Sequence, residues 1–412
     1  MDIARRYAQH LLGSLGVEAR VEIPDEHPAI TWRDSGLMAL TGLPGGEAQM
    51  CPVPIASCAD GAVAALASIA PQADLLRGST LLSQRARMSG VTRNGAVSPG
   101  GGCYLLETSD GAIAANLVRD EDWSLVPAWL EADGEPTWDL VKRVARERTM
   151  HDLVERGRML GLAVAPDVPV PSRAATWCAI GNPPSRGERG RGEGPVVVDL
   201  SSLWAGPLCS HLLQRCGARV IKVESVQRPD GARRGPREFF DALNAGKESV
   251  SIDFASADGR AKLRDLVASA DVVIEGSRPR ALRQLGIEAE TIVRESAHLT
   301  WISLTGYGRG EPQENWIAFG DDAAVAAGLS HVMRQAAGER LIVGDAIADP
   351  LTGMHAALAA WWSWQQGSSR MIALSLVDVV RHCIRFDLPA SSQALRDRTR
   401  EWEAICRRSS SP

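Results

Sequence analysis

Lysine is nearly missing from this chain. It occurs only at Lys142, Lys222, Lys247 and Lys262, so arginine carries almost all the positive charge. No Cys-x-x-Cys pair occurs, and the eight cysteines are scattered without a Cys/His cluster at metal-ligand spacing. That excludes a signalled zinc site or disulfide framework, and no metal is expected. No apolar run is long enough to span a bilayer; the one at 356–364 is short and closely preceded by Asp345, Asp349 and His355. The opening, MDIARRYAQHLLGSLG, lacks the apolar core and cleavage site of a secretory signal, so a cytoplasmic location is expected. A net charge of -5 offers no global attraction to nucleic acid or to anionic lipid, and neither is expected as a partner.

What is present, 45% hydrophobic and 23% charged residues over 412 positions, is the composition of a soluble globular protein with room for two domains. Residues 181–195, GNPPSRGERGRGEGP, read as a linker. Beyond it, short apolar runs at 196–200, 219–224, 249–254, 271–275 and 299–304 alternate with helical spacings such as 259–269. Repeated βα units of this kind predict an α/β fold, a Rossmann-like parallel sheet with flanking helices. Before the linker, residues 103–108 and 112–117 predict a hairpin across Ser109-Asp110-Gly111, followed by helical patterns at about 121–131 and 137–160. This is a smaller α+β domain, preceded by a helical region to about residue 70.

A weak internal repeat joins the two parts. At a constant offset, residues 27–67 align with 319–359: Gly36 meets Gly328, Ile55-Ala56 meets Ile347-Ala348, and Gly61 meets Gly353.

Several motifs then follow in one order: VVVDLSSLWAGPLCSHLLQRCGARVIKVES, LNAGKESVSIDF, ADVVIEGSRPRALRQLGI, ISLTGYGRG and VGDAIADPLTGMHAALAA. Together they resemble the family III CoA-transferases, whose members include α-methylacyl-CoA racemases. MSGVTRNGAVSPGGGCYLLETSDGAIAANL, at 88–117, resembles that family's glycine loop and small domain, but out of order. The resemblance implies a partial tandem duplication with five parts. Residues 1–75 are a degenerate copy of the central helices, 76–180 the small α+β domain, 181–195 the linker, 196–390 the CoA-binding α/β domain, and 391–412 a tail.

The resemblance nominates Asp349, four residues before Gly353, as a nucleophile that attacks an acyl-CoA thioester. A carboxylate near its reference pKa of about 3.9 is ionised at neutral pH and needs no general base. Asp followed by Pro is also a helix cap, and the two roles can coexist. In the first copy the matching position is Ser57, which has no adjacent base. Where the racemases carry a proton-transferring histidine, this chain has Phe319, while the first copy has His27.

For the coenzyme, the resemblance nominates Trp204 and Ala205 after the first strand, Ser225 after the second and Ile252, Asp253, Phe254 and Ala255 after the third. It adds Gly276, Ser277 and Arg278 after the fourth, then Gln284 and Phe319. Trp204 could stack on adenine or pack in the core. Gly100, Gly101 and Gly102 resemble the loop that closes over the acyl-enzyme, where glycine permits close backbone approach and exclusion of water. Lys222 and Lys247 read as structural ion-pair partners.

The implied activity is CoA transfer between carboxylic acids, with an acyl-CoA and a carboxylic acid acceptor as partners. An acyl-CoA racemase or isomerase, and a non-catalytic CoA-binding protein, are the alternatives. Family members form interlocked homodimers; here the resemblance implies either a homodimer or an internal pseudo-dimer.

Overall fold

The computed structural model describes residues 2–173, 175–181 and 194–409, so most of the expected linker lies outside the described residues. Helix α1 (Ile3–Ser14) starts where Asp2 accepts the Arg5 N–H at 2.9 Å. Its apolar stripe of Tyr7, Ala8, Leu11 and Leu12 is buried. Helix α2 (Pro28–Asp34) follows, then α3 (Ile55–Ile69), whose run of alanine, serine and glycine lets α1 lie close against it. A methyl group on Gly61 would stand 2.6 Å from the Ala4 carbonyl oxygen. Helix α4 (Gln84–Ser89) then leads toward the triple-glycine turn.

The small domain is a three-stranded antiparallel sheet of β1 (Cys103–Glu107), β2 (Ala112–Asn116) and β3 (Ala163–Pro166). The expected hairpin pairs Cys103 with Asn116. Strand β3 is missed from sequence because it is only four residues long and ends in proline. The single helical pattern expected at 137–160 is two helices, Trp138–Ala145 and Met150–Leu160. Thr149 makes the break by capping the second, accepting the Asp152 N–H at 3.2 Å. Trp129, Val141 and Leu153 help form this domain's own core.

The large sheet comprises β4 (Ala179–Ile180), β5 (Val196–Asp199), β6 (Arg219–Ser225), β7 (Glu248–Ile252), β8 (Val272–Glu275), β9 (Thr300–Thr305) and β10 (Arg370–Ser375). Their order is β4-β10-β9-β8-β5-β6-β7, parallel throughout except for β4 against β10. The valine runs of β5 and β8 lie side by side at its centre, Val197 pairing with Val220 on one side and Val272 on the other. Buried on both faces, such strands read as unbroken β-branched runs. Strand β10 escapes the sequence reading because its serines and arginine interrupt the apolar signal.

Helix α5 (Ala205–Arg215) crosses over from β5 to β6. Then come α6 (Gly320–Ala326), α7 (Leu329–Ala337), α8 (Ala348–Gln366) and α9 (Leu376–Phe386). Residues expected as a tail form α10 (Ser392–Ser409), which packs on α7 and α2. Helices α2 and α6 lie 292 positions apart at both ends. The α1–α3 crossing also has a counterpart: at Gly353 of α8 a methyl would stand 2.6 Å from the Ala205 carbonyl oxygen of α5. Helix α1 thus stands to α3 as α5 stands to α8, a relation the sequence reading did not include. Its signal is short: His10-Leu11-Leu12 against His211-Leu212-Leu213.

Candidate active site

Asp349 is the second residue of α8 rather than its cap, which is Ile347. It is partly exposed. The backbone amides of Ala205 and Gly320 lie beside its carboxylate and favour its ionised form. Burial lifts its pKa to about 6, opposed by Arg85 and by those two amides, while Asp345 adds to the lift. The reference value assumed from sequence is therefore too low; a carboxyl at about 6 is still about nine-tenths ionised at pH 7. A carboxylate that has lost part of its water is a better nucleophile than one in bulk solvent, and the neighbouring amides fix its orientation.

Two further aspartates crowd this corner. Asp345 is buried and held by Arg85, whose Nε and Nη2 donate to its two oxygens at 2.8 and 2.5 Å. Asp321 accepts the Ala346 N–H at 2.7 Å, and burial together with Asp345 pushes its pKa upward. Arg85 also lies over the Trp204 ring, 5.4 Å from its centroid. Trp204 is 2% exposed and meets Phe239 edge-on at 5.1 Å, so its ring is core and not an open adenine platform.

A cavity of about 240 Å³ opens beside these groups, lined by Arg85, Gly100, Leu203, Trp204, Phe239 and Asp345 among others. Asp349 is not among its lining residues; it stands against Ala205, next to the Trp204 wall. The turn carrying Gly100, Gly101 and Gly102 is closed by the Ser98 N–H to Cys103 carbonyl bond at 2.8 Å, and Gly100 faces the cavity. Two non-glycine residues beside the site have left-handed backbone, Leu203 at φ 69° and Ala346 at φ 46°. Such strain collects at functional corners.

The model of CoA-transferase family III matches residues 193–404, just over half of the chain. The chain belongs to this family. Among curated relatives, an acyl-CoA transferase of Fusarium pseudograminearum is 32% identical over 176 residues, 39% of each chain. The succinate–glutarate CoA-transferase of Agrobacterium fabrum is 28% identical over 200 residues, 44% of this chain and 50% of that protein. A solved CAIB/BAIF family protein from Brucella suis is 30% identical over 47% of this chain and 55% of its own, at a TM-score of 0.43. The chain spans about half the length, or less, of the curated relatives it matches.

In this family III chain, most of the nominated coenzyme residues fall along one rim, the carboxyl ends of the parallel strands, where α/β sheets bind ligands. Ser225 ends β6 and is in register with Ile252 at the end of β7. Ile252 itself is 2% exposed and packs in the core, so its side chain is unavailable to a ligand. Phe254 packs partly against the same core. Asp253 is exposed and accepts the Ala255 N–H at 3.0 Å, making a turn, with Ala255 open beside it. Gly276, Ser277 and Arg278 follow β8. Burial and then the nearby Arg280, Arg119 and Arg228 depress the Arg278 pKa, which marks a locally positive corner suited to phosphate. Gln284 is exposed at the end of the helix Pro279–Gln284. Phe319 caps α6, and its N–H donates to Asp322 at 2.8 Å.

Lys247 holds the sheet to α5, and Lys222 holds the loop before it, donating to the Ser201 carbonyl at 3.2 Å. Lys222 pairs with Asp230 at 2.8 Å. Lys247 donates to Ser210 at 2.7 Å and the Pro207 carbonyl at 2.9 Å, and meets Asp199 at 3.4 Å. Lys247 thus positions the first turn of α5, where Ala205 lies. In the first copy, Ser57 is buried and His27 accepts the Ala29 N–H at 3.2 Å as the cap of α2, edge-on to Trp402. Sequence reasoning missed Arg85, Asp321, Asp345 and Phe239. Arg85 and Asp345 are 260 positions apart, and nothing local marks either as a partner of the other.

Proposed function

We propose that the chain transfers CoA between carboxylic acids with Asp349 as nucleophile. An Asp349 oxygen attacks the thioester carbonyl, the C–S bond breaks, and CoA leaves as thiolate, giving a mixed aspartyl anhydride. The thiolate returns to the aspartyl carbonyl, releasing the donor acid as carboxylate and leaving an enzyme-CoA thioester. An acceptor carboxylate then repeats the two steps in reverse order, so every bond broken is matched by one formed and no redox partner is needed. The amides of Ala205 and Gly320 lie beside the aspartyl carboxylate and would steady the charge that develops there. The coenzyme would lie along the rim from Ser225 to Arg278.

One observation carries this reading: a partly open carboxylate at the head of α8, flanked by the amides of Ala205 and Gly320, beside a cavity that Gly100 helps to line. Racemisation finds less support, since Phe319 holds no exchangeable proton and His27 is engaged as a helix cap. The paired crossings α1–α3 and α5–α8 support a partial duplication, with residues 1–75 as the degenerate copy and the assembly either a homodimer or an internal pseudo-dimer.

Intact-protein and peptide mass spectrometry after incubation with a broad set of acyl-CoAs tests the proposal. An acyl or CoA adduct on the peptide containing Asp349 is expected. None across the set removes it.

A further inference from the structure

The cavity beside Asp349 has a chemical character that the transfer chemistry alone does not require. Val91, Leu203, Trp204, Ala232, Pro236 and Phe239 give it apolar walls. Among its described lining residues Arg85 is the one cation, and its Nε and Nη2 already donate to the buried Asp345. Asp321 and Asp349 stand close enough to Arg85 to interact with it as well, so one guanidinium serves three carboxylates. A substrate carboxylate entering here meets one guanidinium already paired with Asp345, and that aspartate in the wall beside it.

Leu203 supplies a second, independent sign. It is 39% exposed and its backbone is left-handed at φ 69°, a conformation that costs a non-glycine residue energy. Its N–H donates to Asp230 at 2.9 Å, which holds the strained corner in place and leaves the side chain lining the cavity. Core packing gives no reason to hold a leucine open in this way, whereas contact with an apolar ligand does.

We infer that this cavity receives the acyl group and selects uncharged, apolar acyl chains or rings over acyl groups ending in a second carboxylate. A cavity of about 240 Å³ is larger than the roughly 150 Å³ that holds benzene in an engineered protein core. It therefore has space for a ring with a short arm or a medium straight chain. The inference rests on the CoA-transfer reading for its chemistry, and on the walls alone for its selectivity.

The test compares the full chain with hexanoyl-CoA and phenylacetyl-CoA against succinyl-CoA and glutaryl-CoA, following adduct formation on the Asp349 peptide and initial rates. The apolar esters are expected to react about 100-fold faster, the scale on which an unpaired charge is rejected by a site without a partner for it. Equal or faster labelling by succinyl- or glutaryl-CoA overturns the inference and leaves CoA transfer standing. If no ester labels, the transfer reading fails, and saturation-transfer NMR decides the cavity separately. Contact of free hexanoate but not succinate supports apolar selection; equal contact, or none by either, ends it. Ala232→Phe and, from another wall, Val91→Phe fill the space. Each is expected to lower the hexanoyl-to-acetyl rate ratio about 10-fold, within the range that pocket volume discriminates. An unchanged ratio in both, with all rates reduced together, would assign the cavity to the CoA arm and sink the proposal.

Discussion

Arg85 and Asp345 meet as a fork on a carboxylate, with N–O distances of 2.8 and 2.5 Å across 260 residues of chain. The arginine comes from the segment before the glycine turn and the aspartate from the approach to α8. Their pairing ties the N-terminal segment to the nucleophile's helix and leaves Arg85 facing Asp321 and Asp349 as well.

Breaking that pair should be costly. Asp345 is 1% exposed, so Arg85→Ala leaves a buried carboxylate without its partner. We expect a loss of about 3 kcal/mol in urea unfolding at neutral pH. Arg85→Lys keeps the charge but not the fork, and should lose less. A change within about 0.5 kcal/mol for the alanine variant would show that Asp345 is stabilised by something else.

Asp349→Asn removes the proposed nucleophile while keeping size and hydrogen-bonding reach. Transfer should fall at least about 1,000-fold, with no adduct on the peptide, and far-UV circular dichroism should be unchanged. Retention of full activity would point to a non-catalytic role.

The same variant has a signature in stability. Folding raises the Asp349 pKa from 3.8 to about 6, so its ionised form is disfavoured in the native state. The penalty is absent below the unfolded pKa and grows as pH rises through the interval up to about 6. Asp349→Asn should therefore melt at a higher temperature than the parent at pH 7 and close to it at pH 4. A gain of equal size at both pH values would contradict the raised pKa. Activity should likewise rise with pH through about 6 as the carboxylate forms.

The two glycine crossings separate stability from function. Gly61→Ala and Gly353→Ala each place a methyl 2.6 Å from a carbonyl oxygen of the partner helix, and each should cost about 1–3 kcal/mol of stability. Only Gly353→Ala pushes on Ala205, whose amide lies beside Asp349. It should lower the rate constant of the chemical step about 10-fold or more, while Gly61→Ala leaves the rate near that of the parent in the folded fraction. Equal rate losses would mean that the α5 crossing has no special relation to the nucleophile.

Periodicity and β-branched runs were enough to find β5, β6, β8 and β9, because a parallel strand covered on both faces must be apolar along its whole length. Short elements at the margins, β3, β4 and β10, were not legible, since their pairing comes from neighbours and not from their own residues. The Asp349 position was legible through its motif. Its pKa, its two neighbouring amides and its offset from the cap position were not. A position at the rim does not say which way a side chain points: Ile252 packs in the core, while Trp204, almost fully buried, lines the cavity wall.

By itself, then, the sequence determined the α/β class, the rim of strand ends and the carboxylate at the head of α8, all features set by local pattern. Only the tertiary structure decided that Arg85 faces three aspartates, that α1 repeats the place of α5, and that the cavity beside the nucleophile is apolar. These are relations between residues up to hundreds of positions apart, made by burial and close packing, and no local pattern in the chain encodes which distant side chains will share one desolvated corner.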